Sequence, residues 1–233
     1  MDKKLLDIQN EIQASSNDFY DYLTELLPTK VLELVDILLP QTEVYLFSGI
    51  IRDYFIKSEN TFRDIDFIVS IENIDDIISN YNYTKNSFGG YKIMIDAVTV
   101  DIWSIKNTWG ILNKSYIPFP ELLPNTTFFN ASSILYSLKN KQFIIGRPFL
   151  NFLRNKKLDI VLEKNPTPAL CIINSLYYSQ KYSLKISKEL SRYILNNYDI
   201  YVNELENVQR KHFKEILYNT NDILAYKQSL SQN

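Results

Sequence analysis

The chain has 233 residues, 45% hydrophobic and 22% charged, with a formal net charge of −2. That length and composition suit one large or two small globular domains and exclude a disordered chain. No apolar run reaches the roughly 20 residues that span a bilayer, and one cysteine, Cys171, excludes an internal disulfide; the expected setting is a reducing cytoplasm without a membrane.

The opening Met1-Asp2-Lys3-Lys4 runs into an amphipathic charged segment, so no signal peptide is expected. Through residue 40, Leu5, Ile8, Ile12, Leu23, Leu26, Val31, Leu34 and Leu38 recur at helical steps, punctuated by Pro28 and Pro40. Val44-Tyr45-Leu46-Phe47 reads as a short buried strand stopped by Ser48-Gly49, with helical spacing over 50–57 and a polar loop over 58–61. Ile65, Phe67 and Val69 then alternate with Asp64, Asp66 and Ile68, the pattern of a strand with two unlike faces.

A short helix capped by Asn73 is expected over 73–79, then turn-rich chain over 85–90. Tyr91–Ile95 and Val98–Ser104 read as paired strands around Asp96-Ala97, and strands near 132–138 and 142–145 flank the turn Lys139-Asn140-Lys141. Helices are expected over 148–156, 168–180, 187–196 and 203–218, with a frayed Gln/Ser-rich end from Lys227. Strands followed by helices give an α+β class: a mixed sheet with flanking helices, then a small all-helical domain.

Charge is unevenly placed. Residues 1–138 hold 10 Lys and Arg against 19 Asp and Glu, whereas 139–192 hold 11 Lys and Arg against Asp159, Glu163 and Glu189. The basic stretch suits an anionic partner such as RNA, and equally suits solvated helix faces, since its lysines are spaced. Tyr177, Tyr178, Tyr182, Tyr193 and Tyr198 fall in this half, where base stacking and core packing both explain them. Cys171 and the sole histidine, His212, lack a partner cluster and read as structural.

On a strand, residues i and i+2 share a face roughly 6.5–7 Å apart. Asp64 and Asp66 can therefore converge on one Mg2+ or Mn2+ site, with Asp101 as a third carboxylate from a neighbouring strand and Asp96 the weaker choice. The Ser48-Gly49 turn lets backbone approach a phosphate at the following helix start. Arg52, one turn in, can reach a phosphate or brace the turn, and Asp53 can pair with Arg52 or Arg63.

Ser48-Gly49-Ile50-Ile51-Arg52-Asp53 followed by Arg63-Asp64-Ile65-Asp66-Phe67-Ile68-Val69 resembles the head domain of CCA-adding enzymes and bacterial poly(A) polymerases, within the polymerase-β-like nucleotidyltransferase superfamily. Phe129-Asn130-Ala131-Ser132-Ser133-Ile134-Leu135-Tyr136 resembles that family's Thr-Ile-Asn-Ala-Leu-Ala-Tyr stretch, and residues 170–187 its first neck helix and the turn after it. The resemblance covers about 44–190. It departs where the family has Arg-Arg-Asp and this chain has Pro124-Asn125-Thr126, and where neck arginines align with Cys171, Asn174 and Tyr177. The family's Glu-Asp-x-x-Arg template motif has no counterpart, so CCA addition itself is not expected.

The periodicity gives a helical segment over 1–40 that the family pattern lacks, and the resemblance implies a nucleotidyltransferase head over 41–146 and a helical neck-like domain over 147–233. It implies transfer of a nucleoside monophosphate from a nucleoside triphosphate to an acceptor hydroxyl, with an RNA 3′ end favoured. Asp64, Asp66 and Asp101 would be catalytic and hold the metal; Ser48, Gly49, Arg52, Arg63 and Asn130 would bind the nucleotide. The same motif suits an enzyme that modifies small molecules or proteins, and a non-catalytic nucleotide-binding module. A helical partner-binding protein with an incidental Asp-x-Asp is the remaining alternative.

Overall fold

The computed structural model describes residues 2–47, 49–58, 64–86 and 88–231. Ser48 and Arg63, two of the expected nucleotide-binding residues, lie outside them. The chain divides into two compact units: Met1–Thr127 with Ala131–Arg154, and Phe128–Asn130 with Asn155–Asn233.

In the first unit, helices α1 (Lys3–Ala14), α2 (Ser16–Leu26) and α3 (Thr29–Leu38) follow the apolar periodicity of the sequence. The Asp2 side chain caps α1 by accepting the Lys4 N–H at 3.2 Å, and Pro28 stands at the N-cap of α3, before the first helical N–H groups are needed. Next come β1 (Val44–Phe47), α4 (Gly49–Ile56), β2 (Asp64–Val69), β3 (Tyr83–Lys85), β4 (Tyr91–Ile95) and β5 (Val98–Ser104). Then follow α5 (Trp109–Lys114), β6 (Ile134–Ser137), β7 (Gln142–Ile145) and α6 (Arg147–Asn155).

Among the described residues the strands form a seven-stranded sheet ordered β3-β4-β5-β2-β1-β6-β7. It is mixed: β2 and β5 run parallel, and the other neighbours run antiparallel. On one face, fully buried Ile65 and Phe67 alternate with the two aspartates of β2. Phe19 of α2 meets the rings of Tyr54, Tyr136 and Phe143 at 5.0, 4.9 and 5.1 Å, and Tyr136 Oη donates to the Ser16 carbonyl at 2.8 Å. The N-terminal helices are thereby part of this unit's core. On the opposite face Tyr45, Ile68 and Leu135 pack with Ile105, Ile111 and Leu123, and Trp103 lies against them.

Three expectations need correction. Residues 73–79 form a hydrogen-bonded turn rather than a helix. Asn73 Oδ1 accepts the Asp75 N–H at 2.9 Å, the Ile77 and Ile78 amides both bond to the Ile74 carbonyl, and the next bond is a separate turn from Tyr81 N–H to the Ile78 carbonyl at 2.8 Å, so no run of helical bonds builds up to offset nucleation. Tyr83 and Thr84, which the sequence left without an element, and Lys85, expected in the turn-rich chain, form β3, an edge strand tied down by the Lys85–Asp75 ion pair at 2.6 Å. The third lies at the end of the chain, where helix continues.

The second unit contains β8 (Lys157–Leu158), α7 (Pro168–Lys181), β9 (Lys185–Ile186), α8 (Lys188–Tyr201), α9 (Leu205–Phe213) and α10 (Thr220–Ser231). α10 runs through the expected frayed region because Asn219 Oδ1 accepts the Asn221 and Asp222 N–H groups while Asp222 Oδ2 accepts the Asn219 N–H. Buried Ile223 anchors the helix. Fully buried Gln209 bonds the Leu205 and Tyr218 carbonyls and the Leu217 and Tyr218 amides, closing the loop before α10. Cys171 is buried and burial pushes its thiol up to about 12, so it is packing rather than chemistry. No helix among the described residues is long and apolar enough to cross a membrane.

Candidate active site

The parallel register sets Asp66 opposite Asp101 and Asp64 opposite Thr99. Paired residues on adjacent strands project to the same face, so β2 and β5 carry all three carboxylates on one side of the sheet. The next residues on that face are Ile68 and Trp103, also cross-strand partners, which enter the apolar cluster. The carboxylates thus stand where the apolar cover of this face stops.

Asp66 is half-buried and its carboxyl is raised to about 7, first by desolvation and then by the charges of Asp101 and Asp64. Among the described residues, one cation opposes this. Lys92 of β4, cross-strand partner of Asp101, places Nζ 2.7 Å from Asp101 Oδ2 and pulls Asp66 back down. The sequence reading did not single out Lys92. Its signal was present: the hairpin around Asp96-Ala97 pairs residue 92 with residue 101. Asp96 takes the turn, at φ 53°, and pairs with Lys30 at 2.6 Å.

The antiparallel register of β1 on β2 pairs Leu46 with Phe67 and runs on toward Phe47 beside Asp66. α4 therefore starts at Gly49 at the carboxylate end of the strands. A Cβ built on Gly49 meets nothing within 4 Å, so the backbone there faces open space. Arg52 is turned inward instead. It is only 7% exposed, and its Nε donates to Asp53 Oδ1 at 2.9 Å, bracing the helix start.

Asn130 belongs to the second unit. Its Nδ2 donates to the Lys157 carbonyl at 2.9 Å and its Oδ1 accepts the Asp159 N–H at 3.0 Å, so both ends of the amide hold backbone. Pro124-Asn125-Thr126 closes a 3-10 segment whose Pro124 carbonyl accepts from Ser133 Oγ at 2.6 Å. Of the aromatic side chains in the basic half, Tyr193 and Tyr198 are core residues, while Tyr178 and Tyr182 stack at 5.8 Å with the Lys181 ammonium 5.1 Å from the Tyr182 ring.

Among the described residues, no three acidic, histidine or cysteine side chains are grouped closely enough to hold a metal ion as they stand. The donor type nevertheless suits a hard divalent cation. It is all carboxylate oxygen, and the mutual repulsion that raises Asp66 is the kind a bound cation relieves.

No protein-family model matches the sequence, and no curated protein matches it. Solved structures do match. A CCA-adding enzyme in complex with ATP superposes with a TM-score of 0.63 at 16% identity, covering 90% of this chain and 53% of its own. The fold is that of the CCA-adding enzymes. A CCA-adding enzyme with CTP gives 0.62 at 15% identity over 90% of this chain and 54% of its own. A tRNA nucleotidyltransferase with a primer tRNA and an incoming ATP analog gives 0.61 at 15% over 85% and 60%. This chain spans about half the length of the CCA-adding enzymes it matches.

Proposed function

We propose that this protein is a metal-dependent nucleotidyltransferase that moves a nucleoside monophosphate from a nucleoside triphosphate to an acceptor hydroxyl, with an RNA 3′ end the favoured acceptor. The observation that carries this reading is the placement of Asp66 between Asp64 and Asp101 at the end of a parallel strand pair. The shared fold supports it, since matched structures hold ATP, CTP and a primer tRNA.

In this reading Asp64, Asp66 and Asp101 would hold Mg2+ or Mn2+, which when bound would supply charge neutralisation for the triphosphate and a lower pKa for the acceptor hydroxyl. The acceptor hydroxyl gives its proton to solvent, its oxygen bonds to the α-phosphorus, the bond from that phosphorus to the β-phosphate oxygen breaks, and pyrophosphate leaves. The open backbone at Gly49 offers its helix-start amides to the phosphates. Arg52 supports that start through Asp53. Positioning and charge neutralisation supply the rate.

The test is transfer of labelled nucleotide from each of the four triphosphates, with Mg2+ or Mn2+, to RNA, protein and small-hydroxyl acceptors. Label on RNA supports the full reading, while label only on protein or small molecules keeps the chemistry and moves the acceptor. Metal-dependent nucleotide binding without transfer to any acceptor would replace it with a non-catalytic module.

A further inference from the structure

Lys92 is the cation that the structure sets against the acidic end of the sheet. Its partner is fixed by register rather than by a loose side-chain encounter, because Lys92 and Asp101 are direct cross-strand neighbours in the β4–β5 pair. Their ion pair is 2.7 Å long, with the Asp101 side chain 24% exposed and Lys92 50% exposed. An isolated pair of that exposure is worth about 0–1 kcal/mol. This one differs in what lies behind it: Asp101 is the neighbour of Asp66, and Asp64 stands on the same face.

The strand pattern places Lys92 deliberately on this face. Tyr91, Ile93 and Ile95 are buried on the other side of β4, and Lys92 and Met94 alternate with them. The ammonium reaches one oxygen of Asp101, and its charge acts through that contact on Asp66 as well.

Resting on the metal-site reading above, we infer that Lys92 is a positioning residue that holds the Asp101 carboxylate and competes with a divalent cation for it. A cation held by Asp66 and Asp101 would share Asp101 with Lys92 or displace it, and either exchange would weaken metal binding. The lysine therefore sets how tightly the site holds metal, and it keeps three neighbouring carboxylates tolerable when no metal is present. Arginine at this position retains the charge, whereas methionine keeps the apolar stem and removes it.

The experiment titrates the full chain with Mn2+ at low salt, following free Mn2+ by electron paramagnetic resonance, with melting temperatures taken in parallel with and without a chelator. Lys92→Met should tighten Mn2+ binding roughly five- to tenfold, as expected for removing a unit charge beside a divalent ion. Lys92→Arg should bind like the parent, and Lys92→Met with Asp101→Asn should lose the gain. In chelator Lys92→Met should melt below the parent, and Mn2+ should restore it by a larger shift than it gives the parent. If the parent binds Mn2+ and Lys92→Met binds it equally or more weakly, the inference is overturned while the metal site stands. If neither protein binds Mn2+, both readings fall.

Discussion

Asp66 of β2 and Asp101 of β5 are cross-strand partners in a parallel pair; desolvation first, then the repulsion of the Asp101 and Asp64 charges, raises the Asp66 carboxyl to about 7. Such repulsion is a cost in the metal-free fold and an advantage once a cation is held between them. Asp66→Asn should therefore lower nucleotidyl transfer by roughly 10²–10³-fold or more. Melting temperature in chelator should stay level or rise. Full retained activity in the labelled-nucleotide assay would remove Asp66 from the proposed chemistry.

The raised carboxyl sets a pH dependence with a definite sign. Asp66 has its folded-state pKa above the ordinary value of 3.8, so its contribution is fully present below that value and is lost as pH rises through about 7. In chelator, stability measured by urea denaturation should fall from pH 5 to pH 8. The loss attributable to this half-buried group is about 1–2 kcal/mol after allowance for solvent screening. Asp66→Asn should flatten that part of the profile, and Mn2+ should do the same in the parent.

Arg52 separates two roles that a sequence pattern leaves joined. Its guanidinium is buried against Asp53, so Arg52→Ala removes a buried ion pair from the first unit. The expected cost is about 3–5 kcal/mol in denaturant. A residue whose work was only to bind phosphate at the surface would change nucleotide affinity and leave stability near that of the parent.

Asn130 makes a parallel case. With its amide joining the Lys157 carbonyl and the Asp159 N–H, Asn130→Ala should destabilise the second unit by about 1–3 kcal/mol. Hydrogen exchange should speed up at Asp159. An unchanged exchange rate there would show that the brace carries no load.

Much of this arrangement is legible in the residues. The alternation in β2 and the pairing of β4 with β5 follow from local chemistry, because each strand has one apolar face to bury. β3 was hidden for the opposite reason: Tyr83-Thr84-Lys85 has no buried face, and its pairing with β4 defines it. α5 is only six residues long and owes its place to tertiary contact, with a Cβ on Gly110 falling 2.5 Å from Thr126 Cβ. α10 did carry a signal, the reciprocal Asn219–Asp222 cap, but its polar composition outweighed it. The inward turn of Arg52 and the double use of the Asn130 amide depend on burial, which residue identity leaves open.

The path of the chain between its two units has a practical consequence. Phe128, Phe129 and Asn130 belong with the segment that resumes at Asn155, although residues on both sides of them belong to the first unit. The Phe128 carbonyl accepts from Val161 N–H, and Phe129 bridges to Ile160. Their rings lie 5.0 Å from Tyr193 and 5.4 Å from Tyr178 respectively. No single scission can free one unit intact: a fragment ending at residue 154 would keep two large aromatic side chains whose neighbours had been removed, and would tend to self-associate through them. The partner fragment would be missing a strand-like piece of its own wall, so this protein is best expressed, permuted or fused as one indivisible length.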